Sequence, residues 1–307
     1  MSTPVSLNCV LDCACATAYG IDPLTGLYTP RQPYSDIVAF NSTPTVINSP
    51  GVDRINACLV GTNANGIIVA FRGTIPPTAI DSIPDWLEDF FAAPTTCGSL
   101  PGQVHSGFCH DIQSIIEPII STVKALNPAQ NKVYVTGHSK GGALASLGAY
   151  LLTAAGIPVQ QVVTFASPKT GDTNFQAGYQ KVIPNQIRYE NYGDLVPLMP
   201  PASAFIAGLV AVVSLIPDIG PKLAALFKEA QSWNYAAVGQ EYYIESAANG
   251  YAIDTSENPY AQVGDFVYNL ASNGWDIGTT LADAHAIACG YGYMSGGCPT
   301  GVCTGAA

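Results

Sequence analysis

Two apolar, β-branched runs stand out early in the chain, 55–60 (INACLV) and 67–71 (IIVAF), with Gly61-Thr62-Asn63-Ala64-Asn65-Gly66 between them. That spacing predicts a hairpin of two strands. Between 107 and 126, Phe108, Ile112, Ile115, Ile116, Ile119, Ile120, Val123 and Leu126 recur at helical spacing, and Asn127-Pro128 ends the pattern. A strand at 133–136, a small-residue helix at 141–153 and apolar strands at 161–166 and 186–191 follow. Helices alternating with buried strands predict an α/β fold: a mostly parallel central sheet flanked by helices, with an antiparallel hairpin on its early side. No repeat, charge run or long linker divides the sequence, so a single domain over 1–307 is expected.

Composition fits that core. Of 307 residues, 48% are hydrophobic and 11% charged, too apolar for disorder. The net charge of −11 repels phosphate backbones, which argues against a nucleic-acid partner but leaves neutral lipid surfaces accessible. Nine cysteines cluster toward the two ends, at 9, 13 and 15 and at 289, 298 and 303, with 58, 97 and 109 between. None has zinc-site spacing, so the expectation is a disulfide framework of a secreted protein, tying the chain ends onto the domain. Cys97 and Cys109 flank a Gly/Pro-rich loop they could close. The odd number leaves at least one thiol unpaired or intermolecular, and the competing reading makes some of them small buried hydrophobes. Asn41-Ser42-Thr43 is a glycosylation sequon that agrees with export. Nothing at the amino terminus reads as a signal peptide; Met1-Ser2-Thr3 looks like a start placed before a mature sequence whose export signal was removed.

The chemistry centres on Gly137-His138-Ser139-Lys140-Gly141, a GxSxG turn between a predicted strand and a predicted helix. Such a turn strains the serine backbone and holds its Oγ at a helix N-terminus, where the dipole and the Lys140 amide can receive an oxyanion. A serine nucleophile needs a base and an orienting acid. His138 is adjacent and reads as a packing or hydrogen-bonding residue, while His105 and His110 precede the serine. The order Ser…Asp…His therefore selects His285. Asp194 follows the 186–191 strand and is the expected acid. Asp172 is the runner-up, and Asp283 is too local to His285. For Asp172 and Asp283 a turn or helix-cap role is the preferred reading.

The segment 133–142 (VYVTGHSKGG), Phe71-Arg72-Gly73-Thr74, Asp85-Trp86-Leu87-Glu88-Asp89-Phe90, Val104-His105-Ser106-Gly107-Phe108, Asp194-Leu195-Val196-Pro197 and His285 occur in one order. Together they resemble the fungal class 3 lipases, the Rhizomucor-type triacylglycerol lipases, over roughly residues 55 to 290. The resemblance implies the α/β-hydrolase fold with lid or cap elements, and Ser139, Asp194 and His285 as a triad. It also implies Thr74 as an oxyanion-hole residue, with the Lys140 amide as second donor, and a lid at 75–86. Prolines 76, 77 and 84 favour a short or irregular lid. No metal or organic cofactor is called for. Partners are a lipid or other hydrophobic ester and a lipid–water interface, and no protein partner is implied.

Two departures stand out. Lys140 occupies a position where the family usually has an apolar residue, although the implied role uses only its amide. The stretch 200–227 contains fifteen residues without charge, 202–216 (ASAFIAGLVAVVSLI), short of a membrane span. A second cap beside the acid is the preferred reading, ahead of a buried core helix, with membrane insertion last. The expected function is a secreted lipase for long-chain acylglycerols. The alternatives are an esterase for short-chain, sterol or feruloyl-type esters, and a non-catalytic lipid-binding protein on the same fold.

Overall fold

Strands of the main sheet lie side by side in the order in which the chain makes them. The computed structural model describes residues 5–49, 56–74, 86, 89–202, 206–215, 220–256, 258–287, 291–293 and 298. Among these, the sheet comprises β1 (Thr45–Asn48), β2 (Ala57–Asn63), β3 (Gly66–Phe71), β4 (Val133–His138), β5 (Gln161–Phe165), β6 (Gln186–Asn191), β7 (Gln240–Ile244) and β8 (Ile253–Asp254). Strands β3 to β7 pair in parallel, and antiparallel pairs close both edges. The helices that matter below are α1 (Leu7–Ala18), α2 (Ser106–Ala125), α3 (Lys140–Ala154), α4 (Thr173–Val182), α5 (Ile206–Val213), α6 (Gly220–Glu229), α7 (Pro259–Ser272) and α8 (Ile277–His285).

This strand order decides the layering. Parallel connections cross right-handedly, so crossovers that always step in one direction bring their helices to one face. Accordingly Ile112 and Ile115 of α2, Leu144 and Leu147 of α3 and Phe175 of α4 share a core with Val60, Val69 and Val135. The opposite pleat, with Leu59, Ile68, Ala70, Tyr134 and Phe165, is covered by α1 and by Tyr291 near the C-terminus. Helix α1 is buried along almost its whole length, from Cys9 to Ala18. A disulfide joins Cys9 to Cys298 across 289 residues, so the two chain ends that cover this face are cross-linked.

Most predicted elements are present. The first hairpin differs: β2 runs on through Gly61-Thr62-Asn63 and the turn shrinks to Ala64-Asn65. Gly61 fits because a Cβ there would strike the Phe40 ring, and the Asn63 side chain is held by the Val38 carbonyl at 2.8 Å and the Asn65 amide at 2.8 Å. Cys97 and Cys109 form the loop-closing disulfide, and Cys109 lies in the first turns of α2. Cys289 and Cys303 lie outside the described residues.

His105 caps α2. Its Nδ1 accepts the Phe108 amide at 3.3 Å, and its ring stacks on Phe108 with centroids 3.9 Å apart. Burial pushes its pKa down from the ordinary 6.5 to about 4. The folded value lies below the unfolded one, so this stabilisation is complete above pH 6.5 and is lost as pH falls toward about 4, a loss of order 3 kcal/mol at most. His105→Asn keeps an acceptor at the cap and removes the titration. Urea unfolding across that window should therefore show a shallower pH slope in the variant; an unchanged slope contradicts the assignment.

Candidate active site

Strand β4 carries its chain straight into α3 through Ser139, whose backbone sits at φ 59° and ψ −134°. A non-glycine residue in that region is strained, and the surrounding packing must hold it there. The clamp is close approach. A Cβ on Gly137 would run into the Gly141 carbonyl, and one on Gly141 into the Phe71 carbonyl at the end of β3. The Ser139 amide donates to the Phe165 carbonyl at 2.9 Å, which ties the turn to β5. Ser139 makes no side-chain cap; the Gly142 amide donates to the Ser139 carbonyl at 2.8 Å, and the Lys140 amide begins α3 at the positive end of the helix.

Asp194 and His285 meet beside this turn. His285 Nδ1 donates to Asp194 Oδ2 at 2.9 Å and Oδ1 at 3.2 Å, since a carboxylate can only accept. In the neutral imidazole that fixes the tautomer, with Nε2 as the acceptor. The Asp194 carboxylate also accepts the Tyr291 hydroxyl at 2.6 Å and the Val196 amide at 2.9 Å. Asn191 at the end of β6 donates its side-chain amide to the Ala284 carbonyl at 2.9 Å, holding the last turn of α8. Ser139 Oγ and His285 Nε2 are both buried, and neither has a hydrogen-bond partner among the described residues. Catalytic serine–histidine hydrogen bonds commonly form or tighten only when substrate binds.

Around them lies a second set of contacts. His138 Nε2 donates to the His285 carbonyl at 2.8 Å, and its Nδ1 faces the Tyr19 hydroxyl at 2.8 Å. Burial, with His285 beside it, holds the His138 imidazole well below its usual pKa, so it stays neutral. Gly73 packs so closely that a Cβ would meet the Tyr19 hydroxyl, the His138 carbonyl and Ser139 Cβ. Thr74 follows directly and is half-buried. The Trp86 ring lies edge-on to His285 with centroids 5.4 Å apart. Ser139 is 1% exposed and His285 4%.

The predicted site residues thus fall into two groups. Ser139, Lys140, Asp194 and His285 converge, with Thr74 adjoining them through Gly73. His138 is a hydrogen-bonding residue as expected, and Asp172 caps α4 by accepting the Phe175 amide at 2.7 Å. Asp283 is a correction: it lies on the exposed side of the last turn of α8, neither turn nor cap, because Asp276 caps that helix. His110 is 86% exposed, away from the chemistry. Tyr19, Asn191 and Tyr291 escaped the sequence reading. Of the lid candidate 75–86, only Trp86 falls within the described residues.

Within 200–227, α5 buries Ile206, Leu209 and Val213 and turns Ala207, Gly208 and Ala211 outward. Its buried face adjoins Leu223 and Phe227 of α6 in the main core. Leu209 also lines a cavity of about 290 Å³ that Pro197 and Leu198 share from the acid's turn. The far wall is polar: Arg188 pairs with Glu190 at 2.8 Å and Glu241 at 3.3 Å, while burial, with Glu190 alongside, pushes Glu241 up to about 8. No helix among the described residues is long and apolar enough to cross a membrane. The one grouping of possible metal ligands among them, Cys9, Cys13 and Cys298, has two of its sulfurs in the disulfide.

The family described as lipase (class 3) matches residues 68–204. The sequence is 30% identical to the secreted mono- and diacylglycerol lipase 1 of Fusarium solani over 174 residues, 50% of each chain. It is 40% identical over 216 residues to a lipase of Caenorhabditis elegans, covering 67% of this chain and 56% of the relative. The crystal structure of the mono- and diacylglycerol lipase from Aspergillus oryzae superposes with a TM-score of 0.58 at 21% identity, covering 80% of this chain and 81% of that one. The architecture they share is the α/β-hydrolase fold. The chain spans about half the length of the curated relatives it matches.

The glycine clamp is testable without any substrate. Gly137→Ala should cost more than about 3 kcal/mol in urea unfolding, because backbone atoms would have to move. Gly264→Ala on α7, where a Cβ meets nothing within 4 Å, is the control. It should be neutral or stabilising by up to about 1 kcal/mol. Equal effects at the two positions would contradict the packing account.

Proposed function

The chain belongs to the class 3 lipase family, and from that premise we propose that it is a secreted serine ester hydrolase cleaving long-chain acylglycerols. The observation that carries this reading is the buried His285–Asp194 pair at 2.9 Å, beside a serine held at positive φ on a strand–helix turn. Ser139 Oγ attacks the ester carbonyl while His285 Nε2 takes its proton. Asp194, held by Tyr291 and the Val196 amide, orients the imidazole and stabilises the imidazolium. The carbonyl oxygen, now an oxyanion, is received by the Lys140 amide and Thr74, at about 3 kcal/mol per donor. The imidazolium returns its proton to the departing alcohol, and water releases the acid by the same steps in reverse order.

Access supports a lipid substrate. Ser139 is 1% exposed and Trp86 packs on His285, so an ester reaches Ser139 only when the cover over the site opens, and an apolar interface is the environment that favours exposing such a ring. The 75–86 segment would then act as the lid, and 200–227, through α5, as a cap walling the acid's side, both within one catalytic domain. The disulfides Cys9–Cys298 and Cys97–Cys109 support an oxidising, extracellular location, as does the exposed sequon residue Asn41.

A series of p-nitrophenyl esters from short to long acyl chains, with and without a lipid interface, tests the substrate class. Rates should rise with chain length and gain at the interface, and Ser139→Ala should lose roughly four orders of magnitude or more. A maximum at short chains with no interfacial gain would make the protein an esterase; activity surviving in Ser139→Ala would end the serine mechanism. Tyr291→Phe removes one donor from Asp194 and should lower kcat about tenfold with KM little changed.

A further inference from the structure

Lys140 has a long, charged side chain at a position that needs only an amide, and the structure buries it. Its Nζ donates to Asn56 Oδ1 at 2.8 Å and pairs with Asp111 Oδ2 at 3.3 Å, while Asn56 Nδ2 donates to Asp111 Oδ1 at 2.9 Å. The three side chains close a ring in which each touches both others. Only 9% of the Lys140 side chain and 19% of the Asp111 side chain is exposed. Burial holds the ammonium below its ordinary pKa, with Asp111 pulling the other way, and a buried ion pair commonly contributes no more stability than apolar residues of similar volume. An apolar residue would be the cheaper occupant. The ion pair is thus poorly explained as a stabilising element, and its position suggests another role.

The ring joins the two segments that supply the oxyanion donors. One is Lys140 itself. The other is 72–74, and it is tied to Asn56 through the next residue, because the Arg72 amide donates to the Ala57 carbonyl at 2.9 Å. Asp111 anchors both to α2. The path from one donor to the other therefore runs Lys140, Asn56, Ala57, Arg72, Gly73, Thr74. With Lys140 paired to Asp111 the ring adds no net charge, and what it offers the oxyanion donors is their placement.

We propose that the Lys140 side chain, clamped by Asn56 and Asp111, is a positioning residue that sets the separation of the two oxyanion donors. The proposal rests on the ester-hydrolase reading above. A misplacement of about 1 Å in such donors costs about a hundredfold in rate, which is the scale on which a clamp acts.

The groups facing the ammonium are Asp111 on α2, with His110 beside it, Arg72 after β3, and Asp89 after Trp86. Asp111 and Asp89 favour its charge, and Arg72 opposes it. The clamp is intact below the Lys140 pKa and is lost as pH rises through it, which places an alkaline limb on kcat. A guanidinium in its place does not lose its proton in that range.

The test is steady-state hydrolysis of one p-nitrophenyl ester by the full chain across pH, alongside the melting temperature. Lys140→Met should lower kcat by about 10- to 100-fold with KM near wild type and the melting temperature unchanged or higher. Lys140→Arg should recover part of that loss and move the alkaline limb upward. Wild-type kcat and an unmoved alkaline limb in Lys140→Met would overturn the proposal. Should that variant fail to fold, Asp111→Asn and Asn56→Ser probe the same ring, and wild-type kcat in both would overturn it. Ser139→Ala separates the two readings. An inactive Ser139→Ala beside a fully active Lys140→Met sinks the clamp alone, whereas activity in Ser139→Ala removes the hydrolase mechanism and the clamp with it.

Discussion

How closely α3 can approach the ends of β3 and β4 governs everything built around Ser139. Gly137 and Gly141 leave no room for a side chain, and that contact lets strand pass into helix within one residue. The serine takes the strain of the turn, and the N-terminus of the helix begins at the next residue, Lys140. Loosen this contact and the strained backbone relaxes toward ordinary φ, taking the oxygen and the amides out of register together. The same approach brings Gly73 against Ser139, so the segment ending in Thr74 belongs to the turn's packing.

The sheet order imposes a second requirement. Crossovers that step one way put α2, α3 and α4 on a single face, and the other face must be covered by something else. Here the cover is α1 with Ile287 and Tyr291, and Cys9–Cys298 cross-links α1 to the chain beyond them. Each brings a tyrosine to the site: Tyr19 to His138, and Tyr291 to Asp194. Closing the core and orienting the candidate base are therefore one structural act, and the disulfide serves both.

Local pattern explains what could be read from the chain. The Ser139 turn is flanked by its own strand and helix, and chain order was enough to single out Asp194 and His285. What escaped depends on distance. Tyr291 reaches Asp194 across 97 residues and Tyr19 reaches His138 across 119, with no local signature for either. Helix α1 is buried on nearly all sides, polar Asp12 and Thr17 included, so it lacks the polar-outside period that marks a surface helix, and its cysteines drew attention to cross-links. Strand β7 carries Gln240 and Glu241, polar residues that mask a strand whose Glu241 is buried against Arg188. The burial of the Lys140 side chain has no local signature either, because its partner Asn56 is 84 residues away.

The central claim is that Ser139 is the nucleophile and that Lys140 and Thr74 face the oxyanion. Its most direct measurement is a crystal structure of the protein after reaction with an alkyl phosphonate, which mimics the tetrahedral intermediate. The account predicts a covalent bond from phosphorus to Ser139 Oγ, with the phosphonyl oxygen about 2.7–3.1 Å from the Lys140 amide and from Thr74. An adduct on any other residue, or an oxygen turned away from both donors, would contradict it.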